Sequence, residues 1–324
     1  MSIKDIRIVF LGTPEFAVAS LSRMLSDGCN VVGVVTMPDK PQGRGKHLRP
    51  SAVKEFAEAH NLPVLQPVSL KDPEFLEQVR ALQADLFVVI AFRMLPEVVW
   101  QMPHLGTFNL HASLLPRYRG AAPINWAVIN GDDVTGVTTF FLKHEIDTGD
   151  VIDRVSLPIG PDEDAGSVHD RLMALGAELV SKTIARIAGG SLQATPQDSL
   201  EPHVEPCPAP KIFKDTCHID WARPARDVHN LIRGLSPYPA AWSCLHADGT
   251  DMGTVKILAT AVTDRPSAGA PGTAHWEGSE RHPELFVDTA TTQLLIKRLQ
   301  LQGKKPMTPE ELRRGLPLTD PRLS

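Results

Sequence analysis

Only two tyrosines and four cysteines occur among the 324 residues of the chain. The cysteines are scattered and form no CxxC pair, so the sequence predicts neither a zinc site nor a disulfide framework. Apolar runs stay well short of the ~20 residues that a membrane-spanning helix needs. Asp5 and Arg7 also interrupt the first apolar stretch, which differs from the pattern of a signal peptide. These absences favour a cytoplasmic protein without metal or membrane, and we expect a monomer.

The sequence also lacks the excess of positive charge that is typical of a nucleic-acid-binding protein, since its formal net charge is −5. The charge is distributed unevenly. From Ala209 onward fifteen Lys and Arg oppose thirteen Asp and Glu, whereas the preceding residues carry eighteen against twenty-five. Because exposed charges act over a Debye length of ~8 Å, a local basic surface can bind an acidic partner despite the acidic total.

Apolar β-branched runs alternate with helical patterns in the first part of the chain. Strands are predicted at 6–10 and 31–35 on either side of a helix at 15–25, and a buried central strand at 86–91. Further predicted elements are strands at 107–110 and 136–142 and a long amphipathic helix at 165–188. This order predicts an α/β fold with a mostly parallel sheet and helices on both faces.

The texture changes after the first 190 residues. Residues 191–208 are rich in proline and predict a linker. Short β-prone pieces at 254–259, 285–287 and 293–299 then alternate with Gly- and Pro-rich turns, which predicts a small β-barrel. The last eight residues, PLTDPRLS, predict a loose tail. The expected organisation is a first domain at 1–190, a linker at 191–208 and a β-barrel domain at 209–324.

The turn Gly12-Thr13-Pro14 follows the first predicted strand but does not indicate a nucleotide site. It lacks the spacing of GxGxxG, and Pro14 removes one of the amides that a phosphate would need. A tight turn into the helix explains it better, which argues against a dehydrogenase.

The segment 36–50, TMPDKPQGRGKHLRP, has no apolar period and is predicted to be a loop. It holds Lys40, Arg44, Lys46 and Arg49 against one acid, Asp39. A solvated surface loop is the simpler interpretation. The alternative is a flexible basic arm that binds phosphates.

The stretch 106–123 carries the clearest candidates for chemistry. Asn109 and His111 alternate about Leu110, so on a strand both side chains lie on one face. An amide can polarise a carbonyl while an imidazole handles a proton or a charge. Asp147 follows the predicted strand at 136–142 and either caps its own turn or orients His111 and stabilises its positive charge. From these residues alone, it stays open whether the strand ends meet or each group bonds nearby backbone.

Together these segments resemble the folate-dependent formyltransferase family. The matching motifs are NLH at 109–111, SLLPRYRGAAPI at 113–124 and DTGD at 147–150. The resemblance implies a Rossmann-like sheet in a catalytic first domain, with Asn109, His111 and Asp147 as the catalytic set. It also implies a folate pocket lined by the turn Ser113-Leu114-Leu115-Pro116.

Further motifs are closest to the members of that family that formylate methionine on initiator tRNA: GTPEF at 12–16, PDKP at 38–41, GRGK at 43–46, APKI at 209–212, IDW at 219–221, PYP at 237–239 and GKKPM at 303–307. The resemblance implies that 10-formyltetrahydrofolate is the co-substrate and initiator methionyl-tRNA the partner. Lys40, Arg44 and Lys46 would contact the tRNA, and the OB-like barrel would bind it as well. One departure is Phe92-Arg93, where many members have Tyr-Gly at a wall of the folate pocket.

Three alternatives remain at this stage. The same folate chemistry could serve an amino sugar nucleotide, which would not require the basic loop. A hydrolase would release formate from the folate, with water in place of the amine. A non-catalytic tRNA-binding module is the third alternative, and the presence of Asn109, His111 and Asp147 argues against it.

Overall fold

The structure, a computed structural model, describes residues 1–42, 47–190, 192–200, 207–316 and 318–324. Contacts between residues divide the chain into two compact units. The first consists of Met1–Gly120, Thr135–Leu157 and Asp170–Pro208, and the second of Ala121–Val134, Pro158–His169 and Ala209–Ser324. Two segments within 1–190 therefore fold with the second unit, and the described part of 191–208 folds with the first.

The first unit is built around one large sheet. The first ten strands are β1 (Arg7–Gly12), β2 (Asn30–Val35), β3 (Lys40–Gln42), β4 (His47–Arg49), β5 (Val64–Leu65), β6 (Leu86–Ile90), β7 (Thr107–His111), β8 (Arg119–Gly120), β9 (Val134–Phe141) and β10 (Val151–Pro158). Seven of them form a sheet with the order β10-β9-β7-β6-β1-β2-β5. The pairs β1–β2, β1–β6, β2–β5 and β6–β7 are parallel, whereas β7 and β9 are antiparallel. The predicted mostly parallel α/β sheet is therefore confirmed.

Helices lie on both faces of this sheet. The first seven helices of the chain are α1 (Glu15–Ser26), α2 (Ala52–Ala59), α3 (Pro73–Ala81), α4 (Glu97–Trp100), α5 (Pro123–Ile129), α6 (Ala165–Ala188) and α7 (Gln197–Leu200). Of these, α5 and the first residues of α6 belong to the second unit. On one face, Phe75 of α3 and Val99 of α4 share a core with Val89 of β6. On the other face, Gly176 of α6 lies so close to Leu110 that an added Cβ would come within 2.7 Å of the leucine Cδ2.

Local signals explain how the helices of this unit begin. The Oδ1 of Asp72 accepts a hydrogen bond from the Glu74 amide at 3.0 Å, and Pro73 occupies the first helical position of α3. Such a cap satisfies an amide that has no partner within the helix. At the start of α1, an added Cβ on Gly12 would lie 2.8 Å from the Cβ of Ala17, so the predicted tight turn requires glycine.

Two segments are more ordered than their sequences suggest. Residues 36–50 were expected to form a loop, but β3 and β4 pair antiparallel within them, while residues 43–46 lie outside the described part of the chain. Within 191–208, Thr195 forms a bridge with Val151, and the helix α7 follows directly. Backbone hydrogen bonds thus order parts of both segments, although their proline content alone predicts irregular structure.

The second unit is organised around a curled antiparallel sheet. Besides α5, its elements, with β11 at the boundary, are β11 (Pro208–Ala209), a 3-10 turn (Asp215–Cys217), α8 (Ala225–Leu235), β12 (Ala241–Ala247), β13 (Thr250–Pro266), β14 (Ala274–Gly278), β15 (Pro283–Asp288), β16 (Thr292–Leu301), α9 (Pro309–Gly315) and β17 (Arg322–Leu323). Six strands have the order β14-β15-β16-β13-β12-β17, and a bridge between Thr273 and Arg322 joins the two edges. The predicted small β-barrel is confirmed as a curled, half-barrel sheet.

The end of the chain is part of this sheet, so the prediction of a loose tail is wrong. Leu323 is buried and pairs with Leu245 of β12. The amide and carbonyl of Ser324 exchange hydrogen bonds with Cys244 at 3.0 and 2.8 Å. Leu323 is one apolar residue among prolines and polar residues, so no pattern in the sequence predicts a strand there. Its burial depends on a partner far away in the chain.

No helix among the described residues has the length and apolar character needed to cross a membrane.

A buried carboxylate organises one end of the curled sheet. The side chain of Asp288 is inaccessible to solvent and accepts hydrogen bonds from the amides of Ala268 and Gly269 and from Gln293. His275 Nε2 lies 2.7 Å from its Oδ2. Burial by itself would raise the pKa of Asp288, but the hydrogen bonds from His275 and Gln293 outweigh it and hold this pKa below its ordinary value. Ionised Asp288 therefore stabilises the fold above a pH of about 4, and this contribution is lost as the pH falls through the lower folded-state pKa.

Replacing Asp288 should reveal this contribution. We expect Asp288→Asn to lower the free energy of unfolding by about 1–3 kcal/mol at pH 7, because the amide NH₂ would face buried donors. The difference from wild type should shrink at pH 3. Urea unfolding followed by tryptophan fluorescence measures this, since four of the five tryptophans lie in the second unit (Trp126, Trp221, Trp242 and Trp276).

The exposed Asp264 of β13 offers a matched control, and Asp264→Asn should change stability little at either pH. An equal loss for Asp288→Asn at both pH values would contradict the role of the ionised carboxylate.

Candidate active site

Strand β7 brings Asn109 and His111 to the carboxyl end of the parallel strands. Asn109 is in register with Val89 of β6, and His111 with Thr138 of the antiparallel strand β9. Side chains alternate along a strand, so Asn109 and His111 share one face while Leu110 enters the core on the other. The shared face expected from the NxH spacing is therefore observed.

The imidazole of His111 is buried between two oxygen acceptors. Its Nε2 lies 2.8 Å from the carbonyl oxygen of Tyr118, and its Nδ1 lies 3.8 Å from Oδ2 of Asp147. A carbonyl can only accept, so Nε2 carries a proton. The Nδ1 distance is too long for a direct hydrogen bond but suits an ion pair. The Asp147 carboxylate therefore faces the second ring nitrogen, and the two oxygen neighbours fix the orientation of the imidazole.

A backbone amide binds the carboxylate of Asp147, and close packing fixes the turn that carries this residue. Its Oδ2 accepts a hydrogen bond from the Gly120 amide at 3.0 Å. The φ angle of Asp147 is 54°, in the left-handed region that Asp tolerates better than most residues. An added Cβ on Gly149 would lie 1.5 Å from the carbonyl oxygen of Phe141, so the turn packs too closely for any side chain there. The sequence left open whether Asp147 meets His111, and the structure brings them together.

Asn109 differs from His111 and Asp147 in its side-chain contacts. The residue is half-buried, and its side chain makes no hydrogen bond with any residue in the described part of the chain. A partly shielded amide beside a buried imidazole can donate to an oxygen of a bound molecule. Asn109, His111 and Asp147 together form the candidate active site.

The turn Ser113-Leu114-Leu115-Pro116 lies directly after β7. Ser113 is fully buried, and its hydroxyl donates to the carbonyl of Arg117 at 2.7 Å. Leu115 is also fully buried and packs against Phe140. The side chains of Ser113 and Leu115 therefore face the protein interior. A ligand on this turn would meet the backbone and the partly exposed Leu114 and Pro116.

Thr138 is a functional candidate that the sequence analysis missed. It is fully buried on β9, and its hydroxyl donates to the Ser113 carbonyl at 2.6 Å and accepts from the Leu115 amide at 3.2 Å. It thereby fixes the turn that follows His111. Nothing in the strand sequence GVTTFF indicates a role for Thr138, because its hydrogen-bond partner Ser113 lies 25 residues away in the chain.

The basic segment is only partly described. Lys40 is exposed on β3, opposite Arg49 of β4, whereas Arg44 and Lys46 lie outside the described residues. The single acid of this segment, Asp39, is engaged elsewhere. Hydrogen bonds from Gln66 and from Lys54 hold the pKa of its carboxyl below the ordinary value. The negative charge is thus compensated by Lys54 of α2 rather than by Lys40 or Arg49.

Arg93, which the resemblance marks as a departure, joins two strand ends at the same edge of the sheet. Its guanidinium donates to the carbonyls of Pro67 and Val68 at 2.5 and 2.8 Å. Desolvation lowers its pKa. Arg93 thus ties the segment after β6 to the segment after β5, a structural role that needs no ligand.

Among the described residues, no group of His, Cys, Asp or Glu is arranged to hold a metal ion.

Comparisons with known proteins agree with both units. Residues 6–184 match the family described as formyl transferase, and residues 211–317 match its C-terminal domain. A protein from Bacteroides fragilis is 52% identical over 324 residues, covering 99% of this chain and 98% of that protein. One from Parabacteroides distasonis is 54% identical over 311 residues, covering 95% and 94%. One from Porphyromonas gingivalis is 46% identical over 321 residues, covering 98% of each. All three are named methionyl-tRNA formyltransferase.

Solved structures of lower identity share the fold. HypX from Aquifex aeolicus, in complex with tetrahydrofolic acid, matches with a TM-score of 0.63 at 17% identity, over 95% of this chain and 47% of that one. WlaRD, a sugar 3N-formyl transferase, matches with a TM-score of 0.63 at 20% identity, over 93% and 99%. The likeness at these identities concerns the fold alone. The two family matches and the full-length relatives go further, and on them this chain belongs to the formyl transferase family.

Proposed function

We propose that this protein transfers the formyl group of 10-formyltetrahydrofolate to the amino group of methionine on initiator methionyl-tRNA, in the cytoplasm, for translation initiation. The observation that carries the proposal is the convergence of Asn109, His111 and Asp147 in a chain whose full-length relatives bear the name methionyl-tRNA formyltransferase. The tetrahydrofolic acid in the HypX structure supports a folate as formyl donor.

The site suits acyl transfer. 10-Formyltetrahydrofolate would supply the formyl carbon, which gains a bond to the methionyl nitrogen as its bond to the folate nitrogen breaks. The amine loses one proton and the departing folate nitrogen gains one. Negative charge grows on the formyl oxygen in the transition state, and Asn109 would donate a hydrogen bond to that oxygen. The turn 113–116 would line the folate through its backbone and through Leu114 and Pro116.

His111 would act from a position that its two oxygen neighbours fix. Its Nε2 proton is directed at the Tyr118 carbonyl, and the Asp147 carboxylate faces Nδ1. A ring held in this way stabilises a nearby oxyanion without leaving its position. Proton transfer at Nε2 would first have to exchange the bond to Tyr118 for one to the substrate.

The direct test is incubation of the protein with 10-formyltetrahydrofolate and methionyl initiator tRNA, followed by detection of formylmethionine. Parallel reactions contain methionyl elongator tRNA, an amino sugar nucleotide, or no acceptor. Formylation of the initiator tRNA is the expected result. Formylation of the sugar alone, or formate release at the same rate without any acceptor, would overturn the proposal in favour of a sugar formyl transferase or a hydrolase.

Asn109→Ala should lower kcat by roughly 10²–10³-fold, because the amide acts on an oxygen whose charge develops in the transition state. The KM values for folate and tRNA should change little. Asn109→Asp keeps the size but replaces the donor with a negative charge, so it should be at least as severe. Gln78→Ala, on the exposed side of α3, is the control. A near-normal kcat for Asn109→Ala would remove Asn109 from the mechanism.

His111→Ala and Asp147→Asn should each be severe, and the double variant little worse than the more severe single variant. Groups that act as one unit give strongly non-additive losses. Steady-state kinetics of the three variants measure this coupling. Fully additive losses would show that the two residues act independently, despite lying 3.8 Å apart.

Arg44→Ala and Lys46→Ala should raise the KM for methionyl-tRNA and leave kcat largely intact. We propose that these residues and Lys40 meet phosphates or unpaired bases of the tRNA, and Arg44 should matter more because its planar guanidinium both forks and stacks. Losing one phosphate contact should lower the salt slope of tRNA binding by about one. Lys71→Ala, an exposed change before α3, is the control. An unchanged kcat/KM for Arg44→Ala at moderate salt would instead support the simpler interpretation, that this segment is a solvated surface loop.

A further inference from the structure

Gln197 is a buried residue outside every motif that the sequence analysis identified. It is the first residue of α7 and only 3% of it is exposed. The segment before it is paired with the start of β10, since the amides and carbonyls of Thr195 and Val151 exchange two hydrogen bonds of 2.8 Å. This pairing places Gln197 against the turn that carries Asp147.

The side-chain amide of Gln197 is fully engaged. Its Nε2 donates to the carbonyls of Asp147 and Gly149 at 2.8 and 2.9 Å. Its Oε1 accepts from Nε and Nη2 of Arg119 at 3.0 and 2.7 Å. These four bonds use both amide protons and both lone pairs. The opposite orientation would place Oε1 against two carbonyl oxygens, so the network itself defines which way the amide points.

These contacts join the two segments that fix the Asp147 carboxylate. One is the turn 147–149, whose carbonyls Gln197 binds. The other begins at Arg119, and the next residue, Gly120, donates its amide to Oδ2 of Asp147. Gln197 therefore links the backbone of Asp147 to Arg119. Arg119 directly precedes Gly120, whose amide binds the Asp147 side chain. A fully satisfied buried network of this kind holds one arrangement and opposes others.

We infer that Gln197 is a positioning residue for formyl transfer, which holds Asp147 in place opposite His111 without touching the substrate. The inference rests on the proposed roles of His111 and Asp147. Without the two hydrogen bonds from Gln197, fewer contacts would hold the Asp147 backbone in its left-handed conformation. The Asp147 carboxylate would then move away from the His111 imidazole. A displacement of about 1 Å in such a group can lower the rate on the order of 10²-fold.

Two variants separate the halves of the network. Gln197→Glu keeps an oxygen for Arg119 but places a second oxygen against the carbonyls of Asp147 and Gly149. Gln197→Met has a similar volume and loses all four bonds. We expect both to lower kcat on the order of 10- to 10²-fold, with little change in the KM values for folate and methionyl-tRNA.

Thr183→Val is the matched control for a lost buried hydrogen bond. Thr183 of α6 is fully buried and its hydroxyl lies 2.9 Å from that of Thr139, whose side chain lies on the sheet face opposite His111. This variant should lower the melting temperature without lowering kcat. Melting temperatures and circular dichroism of all variants show that folded protein is being compared.

The decisive measurement is the coupling with Asp147. In an Asp147→Asn background, Gln197→Glu should cause little further loss of kcat, because the group that Gln197 positions is already disabled. The ¹⁵N signals of the His111 ring, measured without any substrate, should shift in Gln197→Glu and stay unchanged in Thr183→Val.

The outcomes distinguish this inference from the proposed function. A wild-type protein that does not formylate methionyl-tRNA would overturn the proposed function, and the His111 ring signals would still test the position of Asp147. An active wild type with normal kcat and unchanged ring signals in folded Gln197→Glu would overturn the role of Gln197. If Gln197→Met does not fold, Arg119→Met tests the same network from its other side, and normal kcat in that folded variant would count against the inference.

Discussion

The placement of the Asp147 carboxylate opposite His111 is the constraint on which the site depends. The imidazole lies at the end of β7, the carboxylate lies in the turn after β9, and the amide that holds the carboxylate belongs to Gly120. No two of these groups are neighbours in the sequence. The antiparallel pairing of β7 with β9 does not by itself bring them together, because Phe141 at the end of β9 lies beside Phe108 near the start of β7. The turn that follows β9 brings Asp147 to His111, and the amide of Gly120 holds its carboxylate there.

Burial gives this pair its chemical effect. Only 7% of the His111 side chain and 13% of the Asp147 side chain are exposed. Polar interactions are stronger there than in bulk water, because the effective dielectric constant is lower. Asn109 differs from both, since it is half-buried and its amide is free among the described residues. A fixed imidazole–carboxylate pair beside a free amide suits a reaction in which negative charge appears on oxygen only in the transition state.

Fully satisfied polar groups stabilise the surroundings of this pair and also the second unit. Thr138 fixes the turn after β7, Gln197 ties together the two segments around Asp147, and Asp288 gathers two loop amides and two side chains at one end of the curled sheet. Each is buried and each has its hydrogen bonds made within the protein. Because an unpaired polar group in such a place is costly, alternative packings are disfavoured, and each of these groups specifies one local geometry.

The sequence by itself determined what depends on local period and on motif. It predicted the strands and helices of the parallel sheet, the shared face of Asn109 and His111, the β-barrel character of the second unit, and the resemblance to formyltransferases. Only the tertiary structure decided that Asp147 meets His111, that Ser113 and Leu115 turn inward, that Gln197 binds the Asp147 turn, and that Leu323 completes a sheet. The physical reason is that alternation along a strand is fixed by the residues of that strand. The meeting of Asp147 with His111, or of a glutamine with a turn 50 residues away, depends on which strands become neighbours in the sheet and on the space that their packing leaves for the turns.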